Sequence, residues 1–456
     1  MYGTSDTPLS IRLSRTLYDQ VPTAVTASLS PLYFWYQSRR ADRRHDPPTI
    51  AHRRVADAPD HVLLVVIDAL RPDFVPDLPL DFRHAIAPST WTFPSVTSLH
   101  TGQYPHEHGA VAHTRIDDDE YAMPRQLDDG PTLPAELEAA GYDTYCGSAF
   151  VVPFIAVRGW YGKHRLYADE SAETLIPDYL SWRSGRDRTF GYLHLGDLHD
   201  PIDVPEAYLE GVDGDAPLDA DPDPCVEFDG CDACVTQRER HMTEYRAALA
   251  YVEDNLRRLI DVVGDDTLVV VTADHGEGQG EHYERAARIT DSRPNGGGGR
   301  RGNVGHGGTP FDVVARVPVG INRPGGASIQ PTGGWASLCD LPATILEDTV
   351  ADPRIDGQRW QTPIPDTRAV LCEGVRFGVE RKAVYRDGAK VIRSRADDET
   401  FTARVERSEP GERFEDLSAH EREELLALLP DHWEDFDART DVGPVVEEQL
   451  EALGYG

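Results

Sequence analysis

H-V-L-L-V-V-I-D, residues 61–68, decides how the chain reads. Its apolar residues follow one another without the alternation of a half-exposed strand, which marks a strand buried on both faces, as in a parallel sheet. Strand-like runs recur at Tyr142–Cys146, Thr189–Asp197, Thr267–Thr272 and Val313–Ile321. Helical stretches separate them: Thr132–Ala140, stopped by Gly141, then Gln237–Val263, then Trp335–Leu346. In the longest, Tyr245, Leu249, Val252, Leu256 and Ile260 make one apolar face. This alternation predicts an α/β fold, a mostly parallel central sheet flanked by helices, over residues 59–366. Residues 1–58 read as an irregular N-terminal extension and about 211–235 as an acidic, Cys-containing surface insertion. Residues 367–456 read as a smaller C-terminal α+β subdomain, with short runs at Ala369–Glu373, Lys382–Tyr385 and Lys390–Arg393 before a polar helix, Ala419–Leu429.

In such sheets ligands bind beyond the carboxyl ends of the strands. Asp68 ends the first strand, Asp197 and His199 close the Thr189 strand, and Asp274-His275 follow Thr272. S-T-W-T-F-P-S-V-T-S-L-H-T-G-Q-Y-P-H-E-H-G, residues 89–109, opens a short helix that closes near Gly102. Pro94 suits its first turn, which places Thr92 just before that turn, by free backbone donors and the positive end of the helix dipole. A nucleophilic oxygen held there meets a dianionic ester well; a plain helix cap is the competing reading. Carboxylates and imidazoles gathered on one rim are costly unless they bind a cation or each other. Asp68, Thr92, Asp274 and His275 are therefore candidate metal ligands, Thr92 doubling as nucleophile, because a bound cation activates a hydroxyl that is otherwise unreactive. His306 lies in a loop that can reach the same rim.

The net charge is −34, from 79 acidic residues against 45 basic ones, of which only Lys163, Lys382 and Lys390 are lysines. That composition resembles proteins of extreme halophiles and argues against nucleic-acid binding, which needs a basic stripe. Residues 1–60 are the exception, with eight Arg and six Asp, a net of +2. There Leu32-Tyr33-Phe34-Trp35-Tyr36 precedes Arg39-Arg40-Ala41-Asp42-Arg43-Arg44. Such a stretch reads either as a helix packed on the domain or as a membrane-surface contact through residues 1–45. It is too short to span a membrane. No secretory signal is visible, so the expectation is a cytoplasmic protein, with surface association to a membrane as the variant. Of six cysteines, Cys146, Cys339 and Cys372 read as core. Cys225, Cys231, Cys234 and His241 are a candidate structural zinc set, against thiols or a disulfide.

Val62–Asp73, Thr92–Gly109, Thr272–His282, Gly305–Pro318, Ser337–Leu346 and the closing Leu450–Tyr455 together resemble the sulfatase branch of the alkaline phosphatase superfamily. Thr92, Pro94, Ser95, Leu99, Thr101 and Gly102 fall on that family's nucleophile motif. The resemblance implies a metal-dependent ester hydrolase or transferase with Asp68, Thr92, Asp274 and His275 around the ion. It also implies that His199 and His306 contact the bound ester and that one of them protonates the leaving oxygen, with Asp197 beside them.

The departures shift the expected chemistry. Sulfatases convert Cys or Ser to formylglycine, which Thr cannot form; Val96 replaces their Arg, Ala69 replaces the second Asp, and the Gly-Lys motif after Gly141-Tyr142 is missing. Relatives that phosphorylate a Thr or Ser keep the ligand set found here. The expectation is therefore action on a small-molecule, glycan or lipid phosphate ester. A sulfatase working without formylglycine, or a non-catalytic protein binding anionic ligands, is the alternative. A mixed Asp/His set suits zinc or manganese ahead of magnesium or calcium. A second metal on Asp197, His199 and His306 is a further option, although Pro201 breaks the family's usual spacing.

Overall fold

Strand β1, His61–Ile67, has every residue buried, as its unbroken apolar run requires. In this computed structural model the described residues are 23–111, 122–124, 126–127, 130–212, 230–286, 304–374, 380–395, 397–430 and 439–441. Six more strands complete the central sheet: β2 (Phe82–Ile86), β3 (Asp143–Ser148), β4 (Lys163–Leu166), β5 (Thr189–Leu195), β6 (Thr267–Thr272) and β7 (Arg316–Asn322). Their order is β2-β7-β6-β1-β5-β3-β4. β1 is parallel to both β5 and β6, and β3 is parallel to β5 and β4. β7 runs antiparallel to β6 and β2, so the sheet is mostly parallel with a reversed edge.

The register builds the site. Val66 of β1 stands opposite His194 of β5 and Thr272 of β6. The residues just past these strands, Asp68 and Asp274, therefore leave the same edge of the sheet.

Several elements depart from the sequence expectation. Residues 1–58, read as an irregular extension, hold a 22-residue helix, α1 (Thr23–Arg44), which agrees with the packed-helix reading of their aromatic and arginine stretch. Ser38 Oγ accepts from Leu166 N–H at 2.8 Å, and Asp42 accepts from Lys163 Nζ and His164 N–H, each at 2.7 Å. The helix thus covers β4, the strand at the edge of the sheet, which would otherwise expose unpaired backbone. The long helix begins at Asp232, within the expected insertion. Residues 312–315 form a helical turn before β7, and the Trp335 segment is irregular until a 3-10 turn at Leu338 and a helix at Leu341–Glu347. The Ser337 hydroxyl and Pro342 set those late starts.

The C-terminal part is a five-stranded antiparallel sheet, Val370–Gly374, Arg381–Arg386, Ala389–Ser394, Glu399–Val405 and Glu412–Phe414, in chain order. It is tied to the first sheet by buried charge. Lys390 Nζ reaches Glu412 Oε2 at 2.6 Å and Asp312 Oδ1 at 3.2 Å, and the Tyr385 hydroxyl donates to the same Asp312 oxygen at 2.8 Å. Ser89 Oγ donates to Glu373 O at 2.6 Å, which anchors the stretch leading into Thr92. The closing motif Leu450–Tyr455 lies outside the described residues.

Candidate active site

Thr92 is the first residue of helix α2, Thr92–Thr101; Trp91 is the cap and makes no side-chain capping bond. The cap reading of Thr92 therefore does not hold. Its hydroxyl is fully buried and lies 3.2 Å from Asp68 Oδ2 and 3.2 Å from His275 Nε2. Gly102 stops α2 in the left-handed region at φ 73°, and its N–H bonds Ser98 O.

The four residues form a buried polar knot. Asp274 Oδ1 accepts from His275 N–H at 3.0 Å, whereas Asp274 Oδ2 and Asp68 Oδ1 are buried without a hydrogen-bond donor. His275 Nε2 lies 3.6 Å from Asp68 Oδ1 and 3.5 Å from Asp274 Oδ2. Its Nδ1 is 2.9 Å from Gly276 O, which can only accept, so Nδ1 carries the hydrogen and a neutral ring turns a lone pair toward the carboxylates. Burial and the Asp68 charge raise the Asp274 carboxyl to about 8. Burial pushes Asp68 up as well, but the hydrogen bond from His194 works against it and Asp68 stays low. Two orphaned carboxylate oxygens and an imidazole lone pair within 4.8 Å of one another fit a divalent cation, with Thr92 Oγ1 beside them.

A residue absent from the expected site completes it. His194 Nε2 lies 2.9 Å from Asp68 Oδ2, and the Tyr192 hydroxyl lies 2.7 Å from His194 Nδ1. The carboxylate only accepts, so Nε2 bears the hydrogen and Nδ1 accepts from tyrosine. The signal was in the sequence: His194 opens the same H-L-G-D-L-H-D-P run that carries His199.

His306 and His199 stand beside the knot. The His306 ring stacks on His275 at 4.4 Å between centroids and lies 5.0 Å from the His199 ring. Glu277, also outside the expected set, holds His306 Nδ1 at 2.8 Å through Oε2. His199 Nδ1 lies 2.6 Å from Asp200 O. Asp197 is engaged elsewhere. Its oxygens lie 3.1 and 3.2 Å from Ala172 N, at the start of the helix Ala172–Arg183, so it closes that helix and joins neither candidate ligand group. The second group among the described residues is His275, Glu277 and His306, in place of Asp197, His199 and His306.

Among the described residues the cysteine set forms no zinc site. Cys234 is bound in a disulfide and so offers no thiolate. Cys231 Sγ lies 3.3 Å from Cys234 Sγ, His241 Nδ1 faces Asp200 Oδ1 at 3.5 Å, and Cys225 lies outside the described residues. Cys146, Cys339 and Cys372 are buried free thiols, as expected of core positions.

Residues 77–348 match the sulfatase family model, which is more than half of the chain, and the chain belongs to that family. A search of curated proteins gives no match. Among solved structures, the chain is similar to BT4656 in complex with its substrate D-glucosamine-2-N,6-O-disulfate, at 14% identity and a TM-score of 0.59, covering 88% of this chain and 99% of that one. It is also similar to the phosphonate monoester hydrolase of Silicibacter pomeroyi, at 17% identity and a TM-score of 0.53, covering 76% and 89%. The enzyme of the same name from Agrobacterium radiobacter gives 16%, 0.52, 76% and 89%. At these identities the likeness is one of fold. The protein is thus a sulfatase-family hydrolase with a candidate metal site.

Proposed function

We propose that the protein acts on phosphate esters through Thr92, with Asp68, Thr92, Asp274 and His275 as ligands of one divalent cation. The observation that carries this reading is the position of Thr92 Oγ1, 3.2 Å from both Asp68 Oδ2 and His275 Nε2 inside the buried cluster. Thr92 attacks the ester phosphorus in line, its proton passing toward Asp68 Oδ2, to which the hydroxyl already donates. As the phosphorus–oxygen bond to the alcohol breaks, a proton from His306 or His199 reaches the departing oxygen. Glu277 supports that role, because a carboxylate on Nδ1 orients the His306 ring. Water or an acceptor alcohol then attacks the phosphothreonine from the vacated side. A bound divalent cation supplies a lowered hydroxyl pKa and offsets charge on the transferring group. Zinc or manganese suits two carboxylates and an imidazole best.

Family membership favours sulfate esters as the rival substrates. Parallel assays on aryl phosphate mono- and diesters and on aryl sulfate separate the two. Thr92→Ala is expected to keep the fold and lose at least about 10⁴-fold in kcat/KM, as for loss of a nucleophile. Wild-type turnover by that variant ends the proposal; turnover of aryl sulfate alone replaces phosphoryl with sulfuryl chemistry.

A further inference from the structure

Helix α1 has two faces of unlike chemistry. Phe34, Ser38 and Ala41 are buried against the domain. Ser38 and Asp42 fix the helix on β4, so its outer face is held in one orientation. On that face Leu32, Trp35 and Tyr36 are 60%, 47% and 50% exposed. Arg39 and Arg43 continue the same side at helical spacing, and the Arg39 guanidinium lies 5.7 Å from the Trp35 ring centre.

Beside this face is a cluster of arginines. In a chain of net −34, Arg40, Arg44 and Arg158 make no ion pair among the described residues. Arg158 Nε is buried without an acceptor. Burial and the charges of Arg44 and Arg40 lower Arg158 to about 10, so the three sit within each other's field. Arg44 and Arg158 line a cavity of about 300 Å³ with His45, Trp160 and two carboxylates, Asp46 and Glu138, of which Glu138 is held by His45 Nε2 at 3.0 Å. The helix itself carries +3, from four Arg and one Asp, and that Asp is already held by Lys163.

We propose that the outer face of α1, together with Arg40, Arg44 and Arg158, docks the protein on an anionic phospholipid surface. Lipid phosphates occupy the arginine cluster, while Leu32, Trp35 and Tyr36 enter the headgroup boundary. Charge complementarity selects this occupant: a cationic, aromatic helix on an acidic protein fits a negative surface that has an apolar layer beneath it. The acidic remainder repels such a surface only weakly in salt. At about 0.15 M the screening length is about 8 Å, so charges at the contact dominate. No helix among the described residues is long and apolar enough to cross a membrane, so the contact lies on the surface.

The test is flotation of the full chain with vesicles of phosphatidylglycerol and phosphatidylcholine, against phosphatidylcholine alone. Binding to the anionic vesicles only is expected. Arg40→Gln/Arg44→Gln/Arg158→Gln is expected to weaken it roughly a hundredfold, at about one arginine's contribution each. Trp35→Ser/Tyr36→Ser alters only exposed side chains, so it keeps the fold, and it is expected to weaken binding about tenfold or more. Absent binding, equal binding to neutral vesicles, or unchanged binding by either variant overturns the proposal. Release from the vesicles by millimolar inorganic phosphate at constant ionic strength overturns it too, assigning the cluster to a soluble anion.

Discussion

Replacing His194 with leucine tests the buried knot without touching a proposed ligand or the nucleophile. His194 Nε2 donates to Asp68 Oδ2 at 2.9 Å, the same oxygen that receives the Thr92 hydroxyl at 3.2 Å. Leucine removes the shorter of these bonds and leaves the Tyr192 hydroxyl without its acceptor at 2.7 Å. A hydrogen bond to a charged group contributes about 1.5–3 kcal/mol, which corresponds to about 10- to 160-fold in an equilibrium constant. Loss of partners that orient metal ligands costs about 10- to 100-fold in metal affinity or activity, so the two scales agree. The expected result is a folded variant whose divalent-cation affinity and kcat/KM both fall by one to two orders of magnitude. Cation titration followed by thermal shift, with aryl phosphate hydrolysis alongside, measures both. His194→Gln keeps a donor at similar reach and is expected to recover part of each loss. A folded leucine variant with wild-type cation affinity and turnover refutes the reasoning that Asp68 is positioned through His194.

Chelation is expected to lower both Tm and activity, because Asp274 must then take up a proton or share a buried site with the Asp68 charge; calorimetry with and without chelator measures it. Asp274→Asn removes one of two buried carboxylates and should raise the Tm of chelated protein while abolishing activity. Asp42, held at about 2 by His164 and Lys163 against the effect of burial, contributes stability that is present above pH 4 and lost as pH falls toward 2. After discounting for partial exposure this amounts to about 1–2 kcal/mol, so the gap between wild type and Asp42→Asn in urea melts should close over that window. Gly276→Ala puts a Cβ 2.1 Å from Val313 O, a backbone atom that cannot yield cheaply. A loss of about 3 kcal/mol or more is expected, by analogy with other overpacked sites, with displacement of His275 read as weaker cation binding.

The parallel core was legible because its strands are buried on both faces, and burial writes itself as unbroken apolar runs such as Val62–Ile67. Strands at sheet edges left weaker marks. Lys163–Leu166 and Phe82–Ile86 are short and polar on one side, so neither was expected. Asp68, Asp274 and His275 were readable from their places after strands, and Thr92 from the helix it opens. Asp197 shares that strand-end position, yet it closes a helix, because sequence order does not reveal which neighbouring N–H a carboxylate meets. His194 and Glu277 act through partners distant in sequence, 126 and 29 residues away, and such pairing is a property of register. The helix of residues 23–44 was legible only as one of two readings, because its residue mix serves two environments at once.

The seat of that helix has a consequence for synthesis. Asp42 and Lys163 are 121 residues apart, so the first has left the ribosome long before the second is made. At about 5–20 residues per second the delay is about 6–24 s. Throughout it Phe34 lacks its buried contacts, and the nascent chain carries an exposed aromatic helix that a chaperone or a nearby surface can capture before β4 arrives.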